Sequence, residues 1–479
     1  MTERKDPTLL QALIPVLFLI VLLSINVGIF KDSALDGSNQ IVLIFSAAVA
    51  AIVAARLGFK WLELRKGIVK SISSAMSSIL ILLLIGALTG TWLLSGVVPA
   101  MIYYGLQILN PTIFLFAACI VCAIVSIATG SSWTTAATVG IALIGIGKTL
   151  GLSEGMIAGA VLSGAYFGDK MSPLSDTTNL APAMAGTDLF THIRYMTITT
   201  IPSITITLVI FLIIGFFGTS EKPVETDLIL KAIEDRFYIS GVLFLVPAAV
   251  VFLITRKVAA IPSLLVGILL GALFAIIFQP DLVAHIGGGK GVTAQYIGIM
   301  KSMYGKIGIE TTDPMINELL QSKGMGGMLS TIWLILSAMV FGGVMETAGF
   351  LRVIAQSILK LVNSTGSLIT STVGTCVFFN ITASDQYLAI VVPGRMYADI
   401  YRDKKLAPEN LSRSLEDSGT VTSVLIPWNT CGAYHSSVLN VSTLTYLPYC
   451  FFNIISPIMS IFMAYAGIKI KKLVTTEKA

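Results

Sequence analysis

Charge is what this 479-residue chain has least of. Only 12% of its residues are charged, 31 Lys or Arg and 26 Asp or Glu, for a net charge of +5. A soluble domain carries roughly 25%. The remaining charges cannot cover a water-exposed surface of this size, and +5 over this length makes no basic footprint for nucleic acid. Histidine is also scarce: His192, His285 and His435 show no metal-ligand spacing. The five cysteines are scattered. Cys119 and Cys122 stand three apart in an apolar stretch with no partner cluster, which reads as two small core residues. No phosphate loop, dinucleotide fingerprint or nucleotide-binding domain is present, so ATP-driven transport has no visible engine.

What the chain does have is apolar length. Hydrophobic residues make up 55% and mean hydropathy is +0.86. A spanning helix needs about 20 mostly apolar residues. Such windows recur near 9–30, 40–56, 76–98, 112–128, 154–168, 195–218, 236–255, 260–278, 327–349, 367–380 and 445–468. The runs are continuous, which excludes the alternating strands of a membrane barrel. The first run is too long for a signal-peptide core and is expected to be retained as a span. The expected fold is an all-α polytopic membrane protein.

Basic residues cluster at Arg56, Lys60, Arg65, Lys66 and Lys70, at Arg256 and Lys257, from Arg395 to Arg413, and at Lys469, Lys471 and Lys472. The positive-inside rule places these, and the N-terminus with Arg4 and Lys5, on the cytoplasmic side. The polar stretch 280–325 balances Asp281, Glu310, Asp313 and Glu318 against four lysines and reads as an external loop. The organisation expected from this is N-terminal spans and a cytoplasmic loop (1–70), a first transport repeat (71–218), linker spans and an external loop (219–326), and a second repeat with a cytoplasmic tail (327–479). One half is entered from inside and the other from outside, as in inverted repeats. An offset of 254 pairs Trp133 with Tyr387, Pro173 with Pro427, Thr191 with Thr445 and Tyr195 with Tyr449. It also brings polar, helix-breaking stretches into register.

Four such stretches interrupt the apolar runs: SIATGSSWTT (126–135), FGDKMSPLSDTTNLAP (167–182), FFNITASDQY (378–387) and EDSGTVTSVLIPWNTCG (416–432). Non-helical backbone at membrane depth is tolerated only where it is buried in protein or lines a cavity. Hydroxyls, amides, carboxylates and freed carbonyls are the oxygen ligands that hard cations prefer. An intramembrane carboxylate is by default an ion or proton site. Asp169 and Asp176, with Thr177, Thr178 and Asn179, are the foremost candidates. The bland alternative pairs Asp169 with Lys170 at a membrane edge. Asp385, after Asn380, Thr382 and Ser384, and Glu346, among Gly342, Gly343 and Gly349, come next. Each of these two has a structural hydrogen bond to a neighbouring helix as its alternative. Glu416 and Asp417 sit near Arg413 and read equally well as a surface ion pair. Asn429 and Thr430 follow Pro427 as ligand candidates. Trp133, Tyr387 and Trp428 are interface aromatics or cavity lining.

FGDKMSPLSDTTNLAPAMAGTDLFTHIRYMTITTIP, supported by ATGSSWTTAATVG upstream and LSRSLEDSGTVTSVLIPWNTCGAYH downstream, resembles the NhaC-type sodium/proton antiporter family. That family includes sodium-coupled malate/lactate antiporters. The resemblance runs from about residue 9 to 468. It implies a bacterial inner-membrane secondary transporter of the ion-transporter superfamily. The implied architecture has inverted repeats with re-entrant hairpins and broken helices, elevator-type movement and a homodimer. It implies ion-site residues Thr129, Ser131, Asp169, Asp176, Thr177, Thr178, Asp385 and Asn429, with Asp169, Asp176 and Asp385 as Na⁺ ligands. It implies no cofactor; the partners are the transported Na⁺ and protons, the lipid bilayer, and in some members small carboxylates. The alternative function is Na⁺-coupled exchange of malate and lactate. A channel, or an intramembrane enzyme lacking any YD or GxGD arrangement, ranks below both.

Overall fold

The computed structural model describes residues 5–30, 37–108, 110–217, 226–311, 317, 320–360 and 362–473. Arg4, Asp313 and Glu318 lie outside the described residues. The chain is a multi-pass membrane protein: among the described residues, seven helices are long and apolar enough to cross a bilayer, and a bent pair raises this to eight.

In chain order the first helices are α1 (Leu9–Phe30), α2 (Ser38–Arg56), α3 (Trp61–Ser74), α4 (Met76–Leu94), α5 (Val97–Ile108) and α6 (Pro111–Thr129). A short α7 (Ser132–Thr135) continues through a π-helical turn, Ala136–Gly140, into α8 (Ile141–Thr149). Then come α9 (Glu154–Met171), α10 (Asp176–Ala185), α11 (Leu189–Phe217), α12 (Thr226–Glu234), α13 (Leu245–Thr255) and α14 (Ala260–Phe278). The stretch expected as an external loop is instead mostly structured. It holds α15 (Pro280–Ile286), α16 (Gly291–Tyr304) and an antiparallel pair, β1 (Ile307–Gly308) with β2 (Gln321–Ser322). Charge balance gave no warning, because Ala294, Gly298, Ile299 and Ser302 form a buried face at helical spacing. The remaining helices are α17 (Leu329–Thr347), α18 (Phe350–Leu359), α19 (Thr365–Thr382), α20 (Leu388–Asp403), α21 (Pro408–Leu415), α22 (Thr430–Leu439), α23 (Thr443–Tyr446) and α24 (Phe451–Tyr465). The last apolar window is broken, with its two parts bent by 55°.

Helix starts recur at a fixed interval. Pro111 and Thr365, Glu154 and Pro408, Asp176 and Thr430, and Leu189 and Thr443 each open a helix and stand 254 residues apart. Local chemistry sets these starts. Asn110 accepts from Thr112 N–H at the head of α6, with Pro111 at the first helical position, where its missing N–H costs nothing. Ser364 does the same for α19 through a reciprocal pair with Ser367.

Helices α6 and α9 pack closely along their length, and small residues allow it. A Cβ on Gly164 would lie 2.1 Å from the Cys119 carbonyl oxygen and 3.0 Å from Cys122 Cβ. A Cβ on Gly168 would lie 2.4 Å from the Ala123 carbonyl oxygen. Cys119 and Cys122 are buried and serve as small packing residues, as their spacing suggests. Gly164→Ala is therefore expected to destabilise the protein by about 1–3 kcal/mol through overpacking. Gly374→Ala, where a Cβ meets nothing within 4 Å, is the near-neutral control. Thermal unfolding of the two variants in detergent checks the difference.

Candidate functional site

All four polar interruptions break their helices. α6 ends at Gly130, whose φ of 69° is left-handed, and Ser131 then caps α7 by accepting from Thr134 N–H. The α9–α10 break spans Ser172 to Ser175, and Ser175 caps α10 by accepting from Thr178 N–H. In the second half Ser384 takes φ 59°, and Asp385 Oδ1 accepts from Leu388 N–H at 2.9 Å at the head of α20. The helical turns after α21 end before Asn429, which caps α22 by accepting from Cys431 N–H at 3.0 Å. The two left-handed residues, Gly130 and Ser384, are 254 apart. So are the caps Ser131 and Asp385, and Ser175 and Asn429.

In each half the two breaks touch. A Cβ on Gly130 would lie 2.6 Å from Leu174 Cβ and 2.9 Å from Ser175 N, so only glycine allows that approach. In the second half Thr430 N–H donates to the Ser384 carbonyl at 3.0 Å. Freed backbone groups and helix N-termini are thereby brought to two crossing points inside the protein.

A cavity of about 710 Å³ lies against the first crossing. Thr129, Ser131, Asp169, Asp176 and Thr177 line it, with Gln386, Tyr387, Thr430 and Tyr434 from the second half. Asp169 is its buried carboxylate. Asp169 Oδ2 accepts from Ser132 N–H at 3.0 Å and from Ser132 Oγ at 2.6 Å, which seats the carboxylate on the N-terminus of the α7–α8 segment. Asp176, at the start of α10, faces the cavity, and the Tyr387 hydroxyl stands 3.5 Å from its Oδ2. Trp133 stacks on Tyr434 with ring centroids 3.8 Å apart. Of the three aromatics singled out in the sequence, Trp133 and Tyr387 line the cavity, whereas Trp428 donates Nε1–H to the Ile381 carbonyl and braces the second crossing. The lining continues to Ser74, Ser77 and Ser78 at the α3–α4 junction and to Lys257 on the α13–α14 loop.

The other candidates fall elsewhere. Thr178 Oγ1 donates to the carbonyls of Asp169 and Lys170, and Asn179 Nδ2 donates to those of Pro173 and Ser175. Both hold the α9–α10 break in shape. Asp385 and Asn429 are buried caps that do not line the cavity; Asn429 Nδ2 also donates to the Asn380 carbonyl at 3.0 Å. Glu346 lines a separate cavity with Lys5, Asp6 and Arg352. Among the described residues no three His, Cys, Asp or Glu side chains gather at one point, so Asp169, Asp176 and Asp385 do not form a single carboxylate cluster.

Two expected ion pairs are rearranged. Asp169 does not pair with Lys170. Lys170 forms a salt bridge with Asp417, both side chains fully buried, and Asp417 also accepts from Thr199 Oγ1 at 2.8 Å and Ser456 Oγ at 3.1 Å. Glu416, Asp417 and Arg413 are not at the surface; all three are buried, and Arg413 stacks over the Tyr195 ring at 4.8 Å. Sequence reasoning also passed over Ser132, the residue that holds the Asp169 carboxylate. Its position two after a helix-ending glycine was the available signal, since that is where a free backbone N–H is presented.

A sequence profile described as the Na⁺/H⁺ antiporter family matches residues 164–468. The chain is 36% identical to the Na⁺/H⁺ antiporter NhaC of Alkalihalophilus pseudofirmus, over 95% of this chain and 96% of that one. It is 36% identical to the malate-2H⁺/Na⁺-lactate antiporter of Bacillus subtilis, over 98% and 96%. It is 35% identical to the arginine/ornithine antiporter ArcD of Halobacterium salinarum, over 97% and 93%.

Proposed function

We propose, from the premise that this chain belongs to the Na⁺/H⁺ antiporter family, that it is a secondary active transporter that exports Na⁺ in exchange for protons. The observation that carries this reading is the placement of Asp169: a buried carboxylate on the wall of a cavity, at the crossing of two broken helices. A desolvated carboxyl group can hold a proton or help hold Na⁺, and the two compete. Competition at one site makes the exchange obligatory. Na⁺ meets Asp169 as the carboxylate, with Asp176, Thr129 and Ser131 supplying further oxygens; a proton takes its place on the return. Ser132 keeps the carboxylate oriented in both states.

Two repeats of opposite orientation, related by the 254-residue interval, form the transport unit in this reading. The cavity lining reaches Lys257, on a basic loop that the positive-inside rule puts in the cytoplasm. The site is then open to the cytoplasm in this conformation, and the N-terminus with Lys5 lies on the same side. The setting is a bacterial inner membrane, and the working form a homodimer that leaves one repeat pair free to move. Thr178, Asn179, Asp385 and Asn429 act by fixing the breaks; Glu346 belongs to a different place and role.

Sodium-induced proton movement in everted vesicles tests the reading. Na⁺ addition should dissipate an imposed acid interior, and failure to do so sinks the assignment. Ser132→Ala removes a hydroxyl that stands 2.6 Å from the Asp169 carboxylate. A hydrogen bond to a charged group contributes about 1.5–3 kcal/mol, so the apparent Km for Na⁺ is expected to rise at least about tenfold.

One observation favours a second reading, Na⁺-coupled exchange of small carboxylates. A cavity of about 710 Å³ is far larger than a bare cation needs, and Lys257 supplies a cation among its described lining residues. Uptake of labelled malate or lactate into proteoliposomes, with and without a Na⁺ gradient, separates the two.

A further inference from the structure

The cavity that Glu346 lines shares no residue with the ion site. It encloses about 840 Å³ and lies where three helices end: Leu9 opens α1, Thr347 closes α17, and Phe59 follows α2. All three helices are long and apolar enough to cross a bilayer. A shared end of such helices is where hydrocarbon gives way to the headgroup layer.

Local structure brings charge to this place. Gly349, at φ 73°, turns the chain from α17 into α18, so Glu346 and Arg352 line the same space. Arg352, Gln356 and Lys360 recur four apart along α18 and its C-terminal end, while Phe350, Ile354 and Ala355 on the other face are buried. Lys5 N–H donates to the Leu57 carbonyl at 3.1 Å, which holds Lys5 and Asp6 beside the end of α2. Lys5, Arg352 and Lys360 are exposed. Neither they nor Asp6 and Glu346 form a salt bridge among the described residues. Three cations and two acids give the described lining a formal charge of +1.

The rest of the wall is partly apolar, with Leu9, Phe59, Leu351, Phe379 and Val392. Such a lining suits an amphipathic ligand with a single negative charge. A phosphate diester carries one. A phosphate monoester carries about −1.5 to −2 at pH 7 and would overshoot the lining. Free phosphate, in addition, has no part to set against the apolar wall. The volume falls within the roughly 300–1,000 Å³ of small-molecule sites.

We propose that this cavity binds an anionic phospholipid, its phosphate diester held by Lys5, Arg352 and Lys360 and the start of an acyl chain laid along the apolar wall. The bound lipid ties the head of α1 to the α17–α18 turn. Basic residues near a membrane surface attract anionic lipid with about 1 kcal/mol each, or about fivefold in affinity.

The test uses purified full-length protein in detergent, with bound lipid counted by native mass spectrometry. The probes are phosphatidylglycerol, phosphatidylcholine with the same acyl chains, and inorganic phosphate. Phosphatidylglycerol is expected to bind at least about tenfold tighter than phosphatidylcholine, and excess inorganic phosphate should not displace it. Arg352→Gln and Lys360→Gln should each weaken its binding about fivefold, and together about 25-fold. Lys66→Gln, on the exposed face of α3 and outside the cavity, should change nothing. Glu346→Gln should tighten binding about fivefold, a sign that loss of folding cannot imitate. Equal binding of the two lipids overturns the proposal, as does wild-type affinity in the double variant or in Glu346→Gln. Displacement by inorganic phosphate means a free-anion site and overturns it too. A loss in Lys66→Gln as large as that in Arg352→Gln means diffuse attraction to a basic surface, with no site in the cavity.

Discussion

Asp169→Asn leaves a folded protein that no longer exchanges Na⁺ for protons. The carboxylate takes two donors from Ser132, its backbone N–H at 3.0 Å and its hydroxyl at 2.6 Å. An asparagine oxygen can take both. The structural loss is then the charge on those hydrogen bonds, about 1–3 kcal/mol. The chemical loss is complete, because an amide supplies an oxygen but cannot cycle a proton. Na⁺-dependent proton movement in everted vesicles should fall at least about 100-fold, the scale on which general acid–base groups act. Gel filtration of the solubilised variant should show an unchanged monodisperse peak. Asp169→Glu keeps the proton chemistry but displaces it by one methylene, and should retain partial activity. Exchange by Asp169→Asn within about twofold of wild type would remove Asp169 from the mechanism.

The largest stability effect is expected at Lys170 and Asp417. These residues are 247 apart in sequence, both with fully buried side chains, and Lys170 also lies 3.2 Å from Ser456 Oγ and 5.8 Å from the Phe452 ring. Removing one partner strands a charge in a medium that cannot solvate it, which costs about 3–5 kcal/mol. Lys170→Met and Asp417→Leu should each lower the midpoint of SDS-induced unfolding sharply. The double variant should recover much of the loss, because an apolar pair of similar volume is often no worse than the ion pair it replaces. A double variant as unstable as the sum of the singles would mean that the polar surroundings, Thr199 and Ser456, cannot be left without the charges.

Much of this architecture was legible because membranes restrict what sequence can do. Continuous apolar runs name the spans, and Gly, Pro, Ser, Thr, Asn and Asp between them name the breaks, since unpaired backbone is tolerated only in protein or at a cavity. The breaks at Gly130–Ser131 and Ser384–Asp385 follow from this alone. Caps and left-handed residues keep a 254-residue interval although side-chain identities across it are sparse. They set backbone conformation, which tolerates less drift than lining does. Asp169 and Asp176 were visible as carboxylates beside a break. Glu346 stood out instead as a carboxylate within a span among Gly342, Gly343 and Gly349, but whether a carboxylate on a span faces the central cavity depends on helix rotation, and a single apolar helix does not declare its rotation. Lys170–Asp417 and Thr177–Glu416 pair residues more than 200 positions apart. No local pattern encodes such a partner. Adjacency misled as well: Lys170 follows Asp169 in the chain, yet successive residues on a helix point about 100° apart. They reach different neighbours.

The most direct test of Na⁺/H⁺ exchange at this cavity is ²²Na⁺ flux in proteoliposomes of the purified protein, driven by an imposed pH gradient, with no carboxylate present and then with malate and lactate added. Na⁺ should move against its own gradient from the first condition onward, unchanged by either acid and not at all in Asp169→Asn. Na⁺ movement that appears only when a carboxylate is supplied would rule out exchange of Na⁺ for protons alone.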